Sequence, residues 1–328
     1  MDQSFLSSRA IIGAYFAQME QPSQDNWGSL VADLFLSNQA DETYALLGVP
    51  APMREWIGGR QVKGLMQSSF NLRNKKYEAT LEIRREDLMR DKTGQIMLRV
   101  QEFANRSAGH WLALLSELIA SGETQRCYDG QFFFSTTHQE RDSGVQSNSV
   151  TIDISAVTPD GPLAFFGTPT NPSEYEARAA IFKGMQAIWG FKDDHGEVLN
   201  ERARQFLVLV PPSLYGSMNL AVEAMNKMAA QHAVEAAEAS ASGIPAGPAF
   251  EVVLGINSRL SWTDKIAVFR TDTPTKALIR QSEQDIRLLA KAEGSEYEFE
   301  NDSWQFGIDA SRNVGFGMWQ RACLVQMV

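Results

Sequence analysis

Apolar and polar positions along the chain alternate between two periods. From Gln95 to Ala120, the residues Ile96, Val100, Phe103, Ser107, Trp111, Leu114 and Leu118 recur at spacings of three and four, which gathers them on one face of a helix. Thr93 is the predicted N-cap, and Gly122 follows the last turn as a stop. At ~1.5 Å per residue this helix is about 40 Å long, with Gly109 as its weak point. Ser173 to Trp189 reads as a second helix, entered through Pro172 with Ser173 as N-cap and left at Gly190. Ser217 to Ala230 reads as a third, which the alanine-rich stretch to Ala241 prolongs until Gly243 and Pro245 end it. Shorter helices are predicted for Ser7 to Met19 and Asn26 to Leu36, with Pro22 and Ser23 between them.

The second period is two. Phe70, Leu72, Tyr77, Ala79, Leu81 and Ile83 alternate with polar residues after a limb rich in glycine (Gly48, Gly58, Gly59, Gly64), so residues 46–85 are predicted to form an extended hairpin. A lone hairpin is only marginally stable in water, so this one is expected to rest on something else. Val150–Ile154, Phe206–Val210, Phe250–Ile256 and Ile266–Phe269 read as short strands. Ala277–Leu289, Tyr297–Ile308 and Val314–Val325 read as longer ones, with turns at Thr273-Pro274, Glu293-Gly294-Ser295 and Ser311-Arg312-Asn313. Gly315-Phe316-Gly317 falls inside a strand pattern and predicts a bulge or a close backbone approach. Residues 126–149 read as loop. The fold class is α+β.

Composition adds bounds. The 328 residues are 44% apolar and 21% charged, enough for a sizeable core. No apolar run reaches the length of a membrane span, and the N-terminus lacks the pattern of a secretory signal. The formal charge is −10, and the basic clusters, Arg73-Asn74-Lys75-Lys76 and Arg84-Arg85, are short and interleaved. Sequence-specific nucleic-acid binding is not expected from such a surface, although it can enclose DNA without gripping it. Two cysteines, Cys127 and Cys323, far apart in sequence, predict free thiols in a reducing compartment.

Candidate chemistry is sparse. The four histidines, His110, His138, His195 and His232, form no metal-binding pair. His195 sits in Lys192-Asp193-Asp194-His195-Gly196, read as a solvated turn. Cys127, Asp129 and His138 share one loop and offer a Cys-His nucleophile pair on paper. A metal site there would need a further ligand at defined spacing, and none is visible. No phosphate loop or nucleophile elbow is present. The expectation is therefore no catalytic residue, no cofactor and no metal.

Two stretches carry a resemblance. One runs from Pro52-Met53-Arg54-Glu55-Trp56-Ile57-Gly58 through Asn74-Lys75-Lys76-Tyr77-Glu78-Ala79-Thr80 to Cys127-Tyr128-Asp129-Gly130-Gln131-Phe132-Phe133 and His138. The other is Asp302-Ser303-Trp304-Gln305-Phe306-Gly307-Ile308-Asp309-Ala310 with Asn313, Gly315, Phe316, Gly317 and Trp319-Gln320. Over roughly residues 50–140 and 262–325 the order and spacing resemble the major head subunit (major capsid protein) family of Mu-like phages. The family's acidic turn before the histidine reads Ser135-Thr136-Thr137 here.

The resemblance implies a Hong Kong 97-like phage capsid fold. It divides the chain into an N-terminal arm (1–45), an E-loop (46–80), a peripheral domain with spine helix (81–145), an axial domain (146–261), a peripheral-domain β-hairpin (262–318) and a C-terminal return to the axial domain (319–328). It implies a major capsid protein of a tailed double-stranded-DNA phage, assembling into pentamers and hexamers of an icosahedral head. Portal, scaffold and decoration proteins are its implied partners, and assembly is implied in the host cytoplasm. Inter-subunit contacts are then expected at Arg54, Glu55, Trp56, Arg60, Lys63, Lys75, Lys76 and Tyr77 on the hairpin and at Arg280, Glu283, Asp285 and Arg287 on a later strand. Two alternatives stand beside this reading: an encapsulin-like nanocompartment shell of the same fold, and a Cys-dependent hydrolase.

Overall fold

The structure, a computed structural model, describes residues 7–21, 27–47, 67–91, 93–157, 166–241 and 250–328. In chain order these form α1 (Ser8–Met19), α2 (Trp27–Val31), β1 (Ala32–Leu36), β2 (Asp41–Leu47), β3 (Gln67–Arg73), β4 (Lys75–Arg84), α3 (Arg85–Arg90), α4 (Gln95–Ala108) and α5 (His110–Ala120). There follow β5 (Ser149–Ile152), α6 (Glu174–Gly190), β6 (Gln205–Val210), α7 (Tyr215–Ala241), β7 (Glu251–Ile256), β8 (Lys265–Arg270), β9 (Leu278–Lys291), α8 (Glu296–Asn301), β10 (Ser303–Phe316) and β11 (Ala322–Met327). Helices and strands mix as an α+β chain.

Two larger sheets each carry a core. The five-stranded sheet runs β5-β11-β8-β6-β7. On it pack Ile181 and Met185 of α6, Met218 and Met225 of α7, Leu115 and Ile119 of α5, and Trp27 and Val31 of α2. The four-stranded sheet runs β1-β9-β10-β4. Ile83, Trp304 and Phe306 from its strands meet Ile11 and Tyr15 of α1 and Val100 and Ala104 of α4 in a second core. A third, two-stranded ladder pairs β2 with β3, ending at Leu47↔Gln67.

The two cores explain why the predicted long helix is two helices. α4 buries Ile96, Val100 and Ala104 in the second core, and α5 buries Leu115, Leu118 and Ile119 in the first. The chain breaks between them at Gly109, which still donates to the Asn105 carbonyl at 3.0 Å. The predicted cap at Thr93 is replaced by Asp91. Its carboxylate accepts from the backbone N–H of Ile96 (2.9 Å), Gln95 (3.0 Å) and Thr93 (3.2 Å). These bonds, that from Ile96 foremost, hold the Asp91 carboxyl below its ordinary range.

α6 follows expectation. Ser173 accepts from Glu176 N–H while Glu176 accepts from Ser173 N–H, a closed capping box. A Cβ on Gly184 in its middle would stand 2.7 Å from Val268 Cγ2 and 2.9 Å from Val325 Cγ2, so the helix rests directly on β8 and β11. Gly184→Leu is expected to cost about 1–3 kcal/mol by overpacking, read as a lower urea midpoint at unchanged slope. Gly317 makes the close backbone approach foreseen for its stretch: a Cβ there would meet the Lys276 carbonyl oxygen at 2.8 Å.

Several expectations are corrected. Asn26–Leu36 is not one helix: Trp27–Val31 is helical, and Ala32–Leu36 turns into a strand parallel to β9. Tyr297–Asn301 is helical, because Ser295 caps it by accepting from Glu298 N–H. Ser311-Arg312-Asn313 is no turn. It lies inside β10, where shifts in the pairing with β9 absorb the irregularity and Asn313 donates to the Arg73 carbonyl at 2.7 Å. The first limb of the hairpin is Asp41–Leu47, earlier than read; the glycine-rich stretch falls at 48–66, outside the described residues. The Asp193-Asp194 turn is buried, not solvated: Asp193 accepts from His195 and Glu197 N–H and folds the turn inward. Among the described residues no helix is long and apolar enough to cross a membrane.

Candidate inter-subunit surface

β10 lies between β4 and β9, so two groups of residues far apart in sequence come together. Lys75, Lys76 and Tyr77 on β4 face Arg312, Ser311 and Ala310 of β10. Asp309 of β10 lies across from Arg287 of β9 and grips it with two hydrogen bonds, Nε to Oδ1 at 2.6 Å and a terminal nitrogen to Oδ2 at 2.8 Å. Lys76 Nζ stands 3.6 Å from the same carboxylate. The bond from Arg287 holds the Asp309 carboxyl below its ordinary range. Glu283 accepts from Ser311, and Asp285 accepts from Ser282 at 2.9 Å. Lys76, Arg287, Asp309, Glu283 and Asp285 therefore already have partners within the chain. Arg54, Glu55, Trp56, Arg60 and Lys63 lie outside the described residues.

Tyr77 and Arg280 are set deeper. The Tyr77 ring meets His110 edge-on at 4.5 Å. The Arg312 and Arg280 guanidinium groups lie 4.6 and 5.9 Å from the centre of the Trp111 ring. Burial lowers the pKa of both arginines. A groove of about 420 Å³ opens between α4 and strands β4 and β10, lined by Tyr77, Ala79, Phe103, Ser107, His110 and Ile308.

Sequence reasoning missed the apolar surface. On edge strand β1, Leu34 is 51% and Leu36 81% exposed, and on α8 Phe299 is 92% exposed. Among the described residues this edge is unpaired, and an apolar edge of that kind calls for a partner. The misreading of 26–36 as helix hid the edge. The run Leu34-Phe35-Leu36 was its only sequence signal.

Among the described residues, the loop between α5 and β5 holds the one cluster that offers chemistry. Cys127 Sγ donates to Asp129 Oδ1 at 3.0 Å, and His138 Nδ1 lies 2.6 Å from Asp129 Oδ2. Asp129 thus stands between thiol and imidazole, and the nucleophile–base contact of a Cys-dependent hydrolase is not formed. Burial, and then Asp129, push the Cys127 thiol well above its ordinary range, away from thiolate. Cys127 and Cys323 are both free. Next to the loop, the buried Glu140 accepts from Tyr128 (2.5 Å), Gln320 (2.8 Å) and Trp319 (3.0 Å), tying it to the segment before β11.

A family profile described as Mu-like prophage major head subunit gpT matches residues 10–166 and 258–327, well over half of the chain. The chain belongs to this family. The major capsid protein of Escherichia phage Mu is 33% identical over 119 residues, covering 36% of this chain and 38% of that protein. The FluMu prophage major head subunit of Haemophilus influenzae is 32% identical over 108 residues, covering 33% and 35%. The gpT-family chain thus spans little more than a third of the length of either relative.

Solved structures extend the likeness to the whole chain. The capsid of bacteriophage JBD30 matches with a TM-score of 0.52 at 16% identity, over 97% of this chain and 73% of that one. The capsid of cyanophage P-SCSP1u matches with 0.53 at 10% identity, over 93% and 88%. A virus-like particle from Pyrococcus furiosus matches with 0.51 at 10% identity, over 96% and 96%. At such identities the likeness shows the fold: the gpT-family chain has the Hong Kong 97-type capsid fold. The segment 167–257, which the profile skips, supplies β6 and β7 to the five-stranded sheet. The described strands of the part where the family signal is lost therefore belong to the same sheet as those on either side of it.

Proposed function

We propose that this chain is the major capsid protein of a tailed double-stranded-DNA phage or Mu-like prophage, closing into pentamers and hexamers that tile an icosahedral head. The observation that carries this reading is the family match over both halves of the chain. The exposed apolar edge of β1 and the exposed Phe299 support it, since both gain from cover by sister copies. Lys75 and Lys76 on β4 and Arg280, Glu283, Asp285 and Arg287 on β9, the two strands that flank β10, are the charged candidates for subunit contacts. Arg54, Glu55, Trp56, Arg60 and Lys63, between the ends of the β2–β3 ladder, are the candidates on the E-loop.

The divisions into arm (1–45), E-loop (46–80), peripheral domain (81–145 and 262–318) and axial domain (146–261 and 319–328) belong to the same proposal. The two cores support a two-lobed subunit, but they cut across these bounds, since α5 and β8, on the peripheral side of them, pack in the first core. Portal, scaffold and decoration proteins are the proposed partners, with assembly in the host cytoplasm. The genome is enclosed without sequence-specific contacts, in keeping with a net charge of −10. Family membership favours a phage head over a nanocompartment, and the Cys127–Asp129–His138 order speaks against a hydrolase. Size-exclusion chromatography and negative-stain microscopy of the purified full chain test the reading. Shells, tubes or rings of five and six copies are expected, and a monomer that persists at high concentration would overturn it.

A further inference from the structure

We propose that Cys127, Asp129 and His138 form a divalent-metal site suited to zinc, which staples the α5–β5 loop to itself between residues 127 and 138. This inference stands apart from the assembly reading, and its test does not depend on shells. One sulfur, one nitrogen and one oxygen ligand atom converge within 4.8 Å of one another. That is a donor set that zinc takes in tetrahedral sites with three protein ligands and a water.

The hydrogen-bond directions around His138 carry the argument. Its Nε2 faces two oxygens, Asn148 Oδ1 at 3.2 Å and the Phe133 carbonyl at 3.3 Å. The orientation of the Asn148 amide is fixed, because its nitrogen donates to the Phe133 carbonyl (2.7 Å) and its oxygen accepts from Ser135 N–H (2.8 Å). Both neighbours of Nε2 are therefore acceptors, and Nε2 carries the hydrogen. In the neutral ring Nδ1 is then a bare lone pair, held 2.6 Å from a carboxylate oxygen. Two acceptors at that distance need a positive species between them. The other oxygen of the same carboxylate meets the Cys127 sulfur. Two protons satisfy these contacts, or one dication satisfies all three groups at once.

The surroundings suit the dication. The Nε2–H to carbonyl bond is the outer-shell contact that fixes the tautomer of a ligating histidine. The His138 ring is fully buried and stacks on Trp319 at 4.1 Å and 5°. Asp129 is held by Gln131 N–H at 3.0 Å. Cys127 is only partly buried, so the cluster meets solvent on its sulfur side. A dication with one thiolate, one carboxylate and one neutral imidazole leaves no net charge in a buried place. Binding displaces the thiol proton and the proton shared by His138 and Asp129 to solvent. Ligands of one zinc stand roughly 3.3 Å apart, given metal–ligand distances of ~2.0–2.3 Å, so the 2.6 Å contact opens by well under ~1 Å.

The test uses the full-length protein, stripped with a chelator and titrated with Co²⁺ and then Zn²⁺. One cobalt per chain is expected, with a thiolate-to-cobalt charge-transfer band that equimolar zinc abolishes. The band is expected to survive Cys323→Ala and to vanish in Cys127→Ser, whose far-ultraviolet dichroism confirms its fold. Asp129→Asn, which keeps the side chain's shape, is expected to weaken binding by about tenfold or more, at least the effect of losing an outer-shell partner. Sub-stoichiometric cobalt, or a band that persists in Cys127→Ser, would show a proton-shared pair and overturn the site.

Discussion

A chain in which residues 48–66 are replaced by a two-residue turn is expected to fold as a soluble subunit and to form no shells. Leu47 and Gln67 are the last paired residues of the β2–β3 ladder, so the cut ends lie opposite each other and a tight turn closes them. The root of the hairpin is fastened to the body by its own bonds. Gln281 donates to the Leu72 carbonyl (3.0 Å) and to Asn74 Oδ1 (2.7 Å), and Tyr44 donates to Gln281 (2.7 Å). A cut reaching into residues 72–76 would unseat those bonds and confuse misfolding with loss of assembly. If the excised segment reaches a neighbour, even ~3 kcal/mol lost per contact raises the concentration needed for assembly more than about a hundredfold. The measurements are thermal melting and microscopy on the same sample. Shells from the shortened chain would show that another surface drives assembly. A large fall in melting temperature would place the segment in the subunit's own core.

Asn200→Ala is expected to be the most destabilising single change, by about 3 kcal/mol or more, read as a fall in the urea midpoint. Asn200 is fully buried. Its oxygen accepts from Arg270 (2.9 Å) and from Arg321, and its nitrogen donates to the Ile188 (2.7 Å) and Gln320 (2.9 Å) carbonyls. One amide thereby ties α6, β8 and the turn before β11 together. Burial, and then the neighbouring Arg270, bring Arg321 down to about 10, a sign of how poorly this cation is compensated. Alanine leaves two buried guanidinium groups and two carbonyls without that partner. Arg90→Ala, which removes an exposed pair with Glu86, serves as the control and is expected to change stability by less than about 0.5 kcal/mol. Equal losses from the two substitutions would mean that the Asn200 cluster rearranges freely.

The sequence was most informative where local chemistry and burial agree. α6 announces itself twice, by the spacing of its apolar residues and by Ser173 with Glu176. Phe206–Val210 and Ile266–Phe269 are continuous apolar runs because both faces of the five-stranded sheet are covered. The failures have two causes. Some signals were present and outweighed: Ser295 and Glu298 form the start signature of α8, which the strand-like run after it concealed. Others lie in tertiary structure alone. Nothing local tells Ala32–Leu36 that β9 waits beside it, and a single helical stripe from 95 to 120 conceals that its halves serve different cores. The charged surface was legible as a list of residues but not as an arrangement, because the Arg287–Asp309–Lys76 cluster depends on β10 lying between two strands. The convergence at Cys127, Asp129 and His138 was visible as three residues in one loop. Its geometry depends on Asn148 and on the carbonyl of Phe133, which no spacing rule includes.

The long β9–β10 hairpin is anchored at both ends. Leu278 and Phe316 belong to the first core, Trp304 and Phe306 to the second. Fourteen residues per strand make a beam of about 45 Å at ~3.3 Å per residue. The pairing slips near its middle, between Asp309 and Arg312, and a ladder bends most easily where it slips. A turn of about 10° there swings the far end by roughly 4 Å over half that length. The two register shifts between Asp309 and Arg312 are therefore the place in the ladder where a change of angle between the two ends of the beam would be taken up with least loss of pairing.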